Sequence, residues 1–243
     1  MRPIRTVTVT RYVTPLREGG SLPAIVEADD DGLYVCKFRG AGQGPRALAA
    51  EIVAGELARA LGLPVPELVL VQLDPELARA EPDPEIQDLI RASAGLNLGV
   101  DFLPGALPYT PARPPAADLA AAVVWLDALV ENIDRTPRNP NLLLWHGDLW
   151  LIDHGAALYV HHGTGDPLAA ARRPFPAIRE HVLLGAAGPI AEADERLAPL
   201  AQPAAAAALV PLEWADGAPY AEHLERRLEA PREWMEEAER ARA

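Results

Sequence analysis

Asp134 and Asn139 stand five residues apart in Glu131-Asn-Ile-Asp-Arg-Thr-Pro-Arg-Asn-Pro-Asn141, and Asp153 follows in Leu151-Ile-Asp-His-Gly155. D-x-x-x-x-N is the spacing of a phosphoryl-transfer loop, in which the carboxylate accepts a hydroxyl proton and the asparagine binds a divalent ion. An aspartate at a strand end, two residues ahead of a glycine, suits a second hard-oxygen metal ligand. Moving a phosphoryl group also needs a cation on the phosphates. Lys37, in Leu33-Tyr-Val-Cys-Lys-Phe38, is the only lysine among 22 lysine and arginine residues, so a compact ammonium is kept at one place in a chain that otherwise uses planar guanidinium. Asparagine is also scarce, and Asn132, Asn139 and Asn141 are three of only four.

Other candidates surround these. The glycines of Gly40-Ala-Gly-Gln-Gly-Pro45, at 40, 42 and 44, suit either a phosphate cradle or a flexible turn. Two glutamates in the helical stretch that follows could steer Lys37. These are Glu51 and Glu56, and the helical wheel places Glu56 nearer the centre of the apolar face. His146-Gly-Asp148 has the H-G-D form of a phosphotransferase loop, but Asp153 stands where that loop has its asparagine, so it reads as a hairpin turn. His161-His162 lacks cysteine or His-x-x-x-His support for a metal and reads as a solvated loop.

The elements that must position these residues follow from periodicity. Residues 6–13, 22–28 and 33–38 alternate as strands, joined by Gly19-Gly20-Ser21 and by Asp29-Asp-Asp-Gly32, which predicts an antiparallel meander. A helix runs through Leu48, Ile52, Val53, Leu57 and Leu61 and stops at Gly62-Leu-Pro64. Strands are predicted over 67–73 and 96–103, a short exposed helix over 75–94, and a proline-rich connector over 105–115. Residues 116–131 form a helix apolar on most faces, interrupted by Asp118 and Asp127, which predicts burial. Short strands at 142–145 and 150–152 precede further helices, the last a charged amphipathic one from Tyr220 onward. The fold class is α+β, with a β-rich part over 1–105 carrying one main helix and a mostly helical part over 106–243.

Composition narrows the function. A formal charge of −13 over 243 residues argues against nucleic acid or an anionic membrane as a partner through bulk electrostatics. Small molecules or proteins are the expected partners. A lone cysteine, Cys36, excludes an internal disulfide framework and a cysteine zinc cluster. No stretch approaches the roughly 20 apolar residues of a membrane span, and the N-terminus lacks a signal-peptide core, so the expected compartment is the cytoplasm.

The sequence resembles the HipA-like branch of the protein-kinase-like fold. The residues that carry the resemblance are Tyr34-Val-Cys-Lys-Phe38, Leu48-Ala-Ala-Glu51, Leu61-Gly-Leu-Pro-Val-Pro-Glu67, Asn132-Ile-Asp-Arg135 with Asn139 and Asn141, and Leu151-Ile-Asp-His-Gly155. The resemblance implies a two-lobed kinase fold that binds ATP and magnesium, with a protein serine or threonine hydroxyl as phosphoryl acceptor. It further implies Asp134 as catalytic carboxylate, Asn139 and Asp153 as metal ligands, Lys37 on the nucleotide phosphates and Glu51 as the partner of Lys37. A small-molecule kinase or a nucleotidyl transferase on the same fold, and a nucleotide-sensing pseudokinase that binds a protein, are the alternatives. Two positions depart from eukaryotic kinases: the loop has Asn132-Ile-Asp134 in place of H-R-D, and His154 replaces the phenylalanine of D-F-G.

Overall fold

The computed structural model describes residues 1–16, 22–42, 44–163 and 165–243, so the expected Gly19-Gly20-Ser21 turn and Gln43 of the glycine-rich stretch lie outside the described residues. The chain forms two compact units, one of Arg2–Leu48 with Pro66–Pro104, the other of Ala49–Val65 with Gly105–Ala243. The division falls inside helix α1 (Pro45–Ala60), whose residues from Ala49 onward belong to the second unit.

The first unit is a closed five-stranded barrel in the order β1-β2-β3-β5-β4. Strand β1 (Thr6–Pro15) buries Val7, Val9 and Tyr12 while its threonines face water, and β2 (Ala24–Ala28) buries Ala24, Val26 and Ala28. In β3 (Leu33–Lys37) the same alternation sends Tyr34 and Cys36 inward, which leaves Lys37 on the opposite face. These strands pair antiparallel, β3 pairs with β5 (Gly95–Asp101), and β5 with β4 (Leu68–Leu73). Closure comes from a parallel pairing of β4 on β1, with Thr6 opposite Leu70 and Thr8 opposite Gln72. A closed barrel has no exposed edge, and its interior holds the apolar faces of β1 to β4, while β5 turns Gly99 inward opposite Cys36.

Between β4 and β5 the single exposed helix expected over 75–94 is instead two pieces, a 3-10 turn over Pro75–Ala80 and helix α2 (Pro84–Ala92). Asp74 and Asp83 explain the break, because each accepts the backbone N–H two residues on and starts a new element. Helix α2 is also less exposed than expected, since Ile86 and Ile90 join the barrel core.

In the second unit α1 ends where its glycine stands. Gly62 takes a φ of +79°, its N–H donates to Arg59 and that of Leu63 to Ala58, a double bond pattern that closes the last turn. Helix α3 (Ala117–Leu129) is buried from Ala120 to its end, Asp127 included. A three-stranded sheet of β6 (Leu107–Pro108), β7 (Leu142–Trp145) and β8 (Asp148–Leu151) follows. The β7–β8 turn is made by His146 and Gly147, both at positive φ, so His146-Gly-Asp148 is a two-residue hairpin connection.

Helices α4 (Pro167–Ala170), α5 (Ile190–Leu197), α6 (Pro203–Ala207), α7 (Ala218–Leu228) and α8 (Glu233–Arg242) complete the unit. The amphipathic helix expected from Tyr220 is thus two, parted at Pro231, whose ring cannot continue a helix. Trp125 of α3 meets Trp234 of α8 edge to face at 5.7 Å, and its indole N–H donates to Asp194 of α5 at 2.7 Å. Arg227, fully buried on α7, donates to the carbonyls of Ala128, Leu129 and Ala171. His161 is packed rather than solvated, stacked on Tyr220 at 4.4 Å and edge-on to His223 at 5.0 Å. Among the described residues no helix is long and apolar enough to cross a membrane.

Candidate active site

The loop that leaves α3 is shaped by its own side chains. Glu131 turns the chain at a φ of +52°, held by a hydrogen bond of 2.8 Å between its carboxylate and His223. The N–H of Thr136 donates to the carbonyls of Asp134 and Asn139, and the N–H of Asn139 returns to Thr136, so residues 134–139 form a closed turn. That turn brings Asn139 back to Asp134. The side-chain amide of Asn139 donates to Asp134 Oδ2 at 2.7 Å, and the amide of Asn141 donates to the same oxygen at 3.1 Å. Two N–H donors on one carboxylate oxygen fix the plane of the carboxylate and leave Oδ1 as its basic edge.

Beneath the loop lies a buried polar layer. Arg135, whose side chain is out of contact with solvent, donates its Nε to Asp127 Oδ2 at 2.5 Å, and its Nη1 donates to the carbonyls of Asn141 and Ile152. One guanidinium therefore ties the helix, the loop and the residue preceding Asp153. Asn132 bridges the same way, its amide donating to Asp127 Oδ1 at 3.0 Å and its carbonyl oxygen accepting the backbone N–H of Asp134 at 3.1 Å. Burial alone would raise the pKa of Asp127, but the charge of Arg135 and the hydrogen bond from His181 outweigh it and hold the carboxyl well below the usual carboxylate range. No sequence motif marks Asp127 or the role of Arg135. The signal for Asp127 was its position as a charge inside an otherwise apolar helix, since a carboxylate buried there requires a partner.

Asp153 follows β8 at a φ of +55°, a conformation that re-aims the chain directly after the strand. The N–H of Ile152 donates to the carbonyl of Asn141, so the loop and the Asp153 turn are also joined through backbone. His154 is buried, and its Nδ1 lies 3.6 Å from Glu51 of α1, itself 2% exposed. Glu56, the other sequence candidate, sits nearer solvent with Arg59 at 3.4 Å.

Lys37 and the glycines lie in the barrel unit. Lys37 is half-buried and sits opposite Leu98 of β5. Cys36 beside it points into the barrel, where burial pushes its thiol up to about 12 and leaves it inert. The glycine-rich turn is held by side chains. The N–H of Gly40 donates to Ser93 Oγ at 3.1 Å, that of Arg39 to Asn97 at 2.8 Å, and that of Gly44 to the carbonyl of Ala41 at 2.9 Å. Of the three glycines, Gly42, at a φ of +53°, donates its N–H to no other described residue.

This arrangement defines an α+β chain with a kinase-like fold. A Helicobacter pylori proinflammatory kinase, CtkA, superposes with a TM-score of 0.54 at 14% identity, covering 99% of this chain and 98% of that one. The Golgi casein kinase, solved with Mn and ADP bound, superposes with a TM-score of 0.51 at 13% identity, covering 99% of this chain and 74% of that one. The model of the HipA-like kinase family matches residues 9–166, and the chain belongs to that family. No curated protein matches it in sequence. Family and fold together make it a kinase-type phosphotransferase.

Proposed function

We propose that this phosphotransferase moves the γ-phosphoryl group of ATP, with magnesium, onto a serine or threonine hydroxyl of a protein. The observation that carries the reading is the convergence of Asn139 and Asn141 on Asp134 Oδ2, which presents Oδ1 as an oriented base for a hydroxyl proton. Protein as acceptor is supported by family membership and by a neighbour of the same fold named as a casein kinase.

The residues present fit a magnesium nucleotide. With its Nδ2 turned to Asp134, Asn139 offers its side-chain oxygen, and Asp153 adds a carboxylate; both are hard oxygen donors. The fold neighbour solved with Mn and ADP supports the same reading. Once bound, the ion neutralises the charge on the transferring phosphate. Lys37 contacts the nucleotide phosphates, and Gly42, rather than Gly40 or Gly44, offers its amide to phosphate. Residues 1–105 then serve as the nucleotide-holding lobe and 106–243 as the catalytic lobe.

The test is intact-mass analysis of acceptor proteins incubated with the enzyme, ATP and magnesium. A phosphoryl adduct that disappears with Asp134→Asn is expected. An AMP adduct, or nucleotide binding without any transfer, overturns the reading.

A further inference from the structure

The catalytic loop has no histidine of its own, yet one reaches it from beyond the stretch that matches the family model. His181 is 6% exposed. Its Nδ1 accepts the backbone N–H of Leu183 at 3.1 Å, and a ring nitrogen that accepts carries no proton. The ring proton therefore sits on Nε2, which lies 2.9 Å from Asp127 Oδ2 and donates to it. The chain of bonds continues without a gap: Asp127 Oδ1 accepts from the Asn132 amide, and Asn132 Oδ1 accepts the N–H of Asp134. Each member from His181 to Asn132 is buried, where water cannot replace a lost bond.

We propose that His181 is a positioning residue for the catalytic loop, acting on Asp134 through Asp127 and Asn132. Asp127 is held from two sides, by Arg135 on Oδ2 and by Asn132 on Oδ1, and His181 is the third donor that sets its rotation. Without it the carboxylate turns toward Arg135, the bond to Asn132 lengthens, and Asp134 loses the fixed backbone that its paired asparagines require. His181 does not touch the reacting groups.

Two substitutions separate this role from a local structural one. In His181→Gln the terminal amide falls near the place of Nε2 and still donates to Asp127. In His181→Asn it falls near Nδ1, bonds Leu183 and leaves Asp127 unserved. His181→Asn is expected to lower kcat by about tenfold or more with KM for ATP unchanged, whereas His181→Gln recovers most of the rate. This kinetic arm rests on the phosphotransferase reading. The second arm does not: hydrogen exchange at the amide of Asp134 should be roughly fivefold faster in His181→Asn and near the native rate in His181→Gln. Equal protection of Asp134 in native protein and His181→Asn, or recovery by Asn rather than Gln, overturns the relay. Absence of any phosphoryl transfer by the native protein removes the phosphotransferase reading alone, because the exchange result stands by itself.

Discussion

Asn139 reaches back across its own turn to place its amide nitrogen 2.7 Å from Asp134 Oδ2, so the proposed metal ligand also orients the proposed base. Asn141 donates to the same oxygen from a φ of +49° but takes no metal in this reading. The two asparagines should therefore fail differently. Asn141→Ala removes one donor and is expected to lower kcat about tenfold with little change in the magnesium requirement. Asn139→Ala removes a donor and a ligand together, and a fall of about a hundredfold or more, with a higher magnesium concentration needed for half-maximal rate, is expected. Magnesium titrations of the two variants check this.

Asp127 and Arg135 form an ion pair with both side chains fully out of solvent. Removing one partner leaves a buried charge uncompensated, so Arg135→Met should destabilise the protein by about 3–5 kcal/mol in chemical unfolding.

The same pair sets an acid limit. The folded-state pKa of Asp127 lies below its ordinary 3.8, so on acidification the unfolded chain takes up the proton first. The stabilisation is complete above about pH 4 and is lost progressively as the pH falls from there. Tm should therefore decline below that value in the native protein. Asp127→Asn should lower Tm at neutral pH and flatten the acid decline, as scanning calorimetry across pH will show.

The elements were largely legible because each is encoded by neighbours in sequence. Alternation marked β1 to β3, Gly62 marked the end of α1, and an apolar run interrupted only at Asp118 and Asp127 marked α3 as buried. What was not legible depended on distant partners. Nothing local in β4 encodes its parallel pairing with Thr6 and Thr8, whereas the break at Pro231 is a local signal that the charged periodicity from Tyr220 masked. The same distinction holds at the site. Asp134 and Asn139 share one closed turn, so their spacing marked them as a pair, whereas nothing in the spacing marked the bond from Asn141 to Asp134. Asp127 and His181 lie 54 residues apart and are related only by the fold.

The glycine-rich turn predicts a division of labour between two of its glycines. A Cβ on Gly40 would stand 2.8 Å from Ser93 Oγ, the atom that already accepts its N–H, so Gly40→Ala should destabilise the protein by about 1–3 kcal/mol. A Cβ on Gly42 meets nothing within 4 Å, and only its φ of +53° opposes substitution, at about 1 kcal/mol. If Gly42 offers its amide to phosphate, Gly42→Ala should weaken nucleotide binding by more than its small loss of stability accounts for. Paired calorimetry and thermal unfolding of the two variants distinguish a structural glycine from a ligand-facing one.

Lys37 is set apart from its neighbours by strand geometry as well as by rarity. Tyr34, Cys36 and Phe38 are buried at 2% exposure or less, and alternation leaves Lys37 half-buried on the other side of the strand. In the proposed reading the charge held there on a rigid strand meets phosphate with a compact head group, whereas a guanidinium is wider, planar and longer on its stem. Lys37→Arg keeps the charge and changes only that shape. Nucleotide affinity is expected to fall modestly, since charge attraction persists, while kcat falls about tenfold or more because the phosphates are held out of line with the acceptor. Lys37→Met removes both charge and shape and should lose affinity as well. Comparing KM and kcat across the pair tests the assignment, and a Lys37→Arg enzyme with native kcat would show that Lys37 supplies charge without geometry.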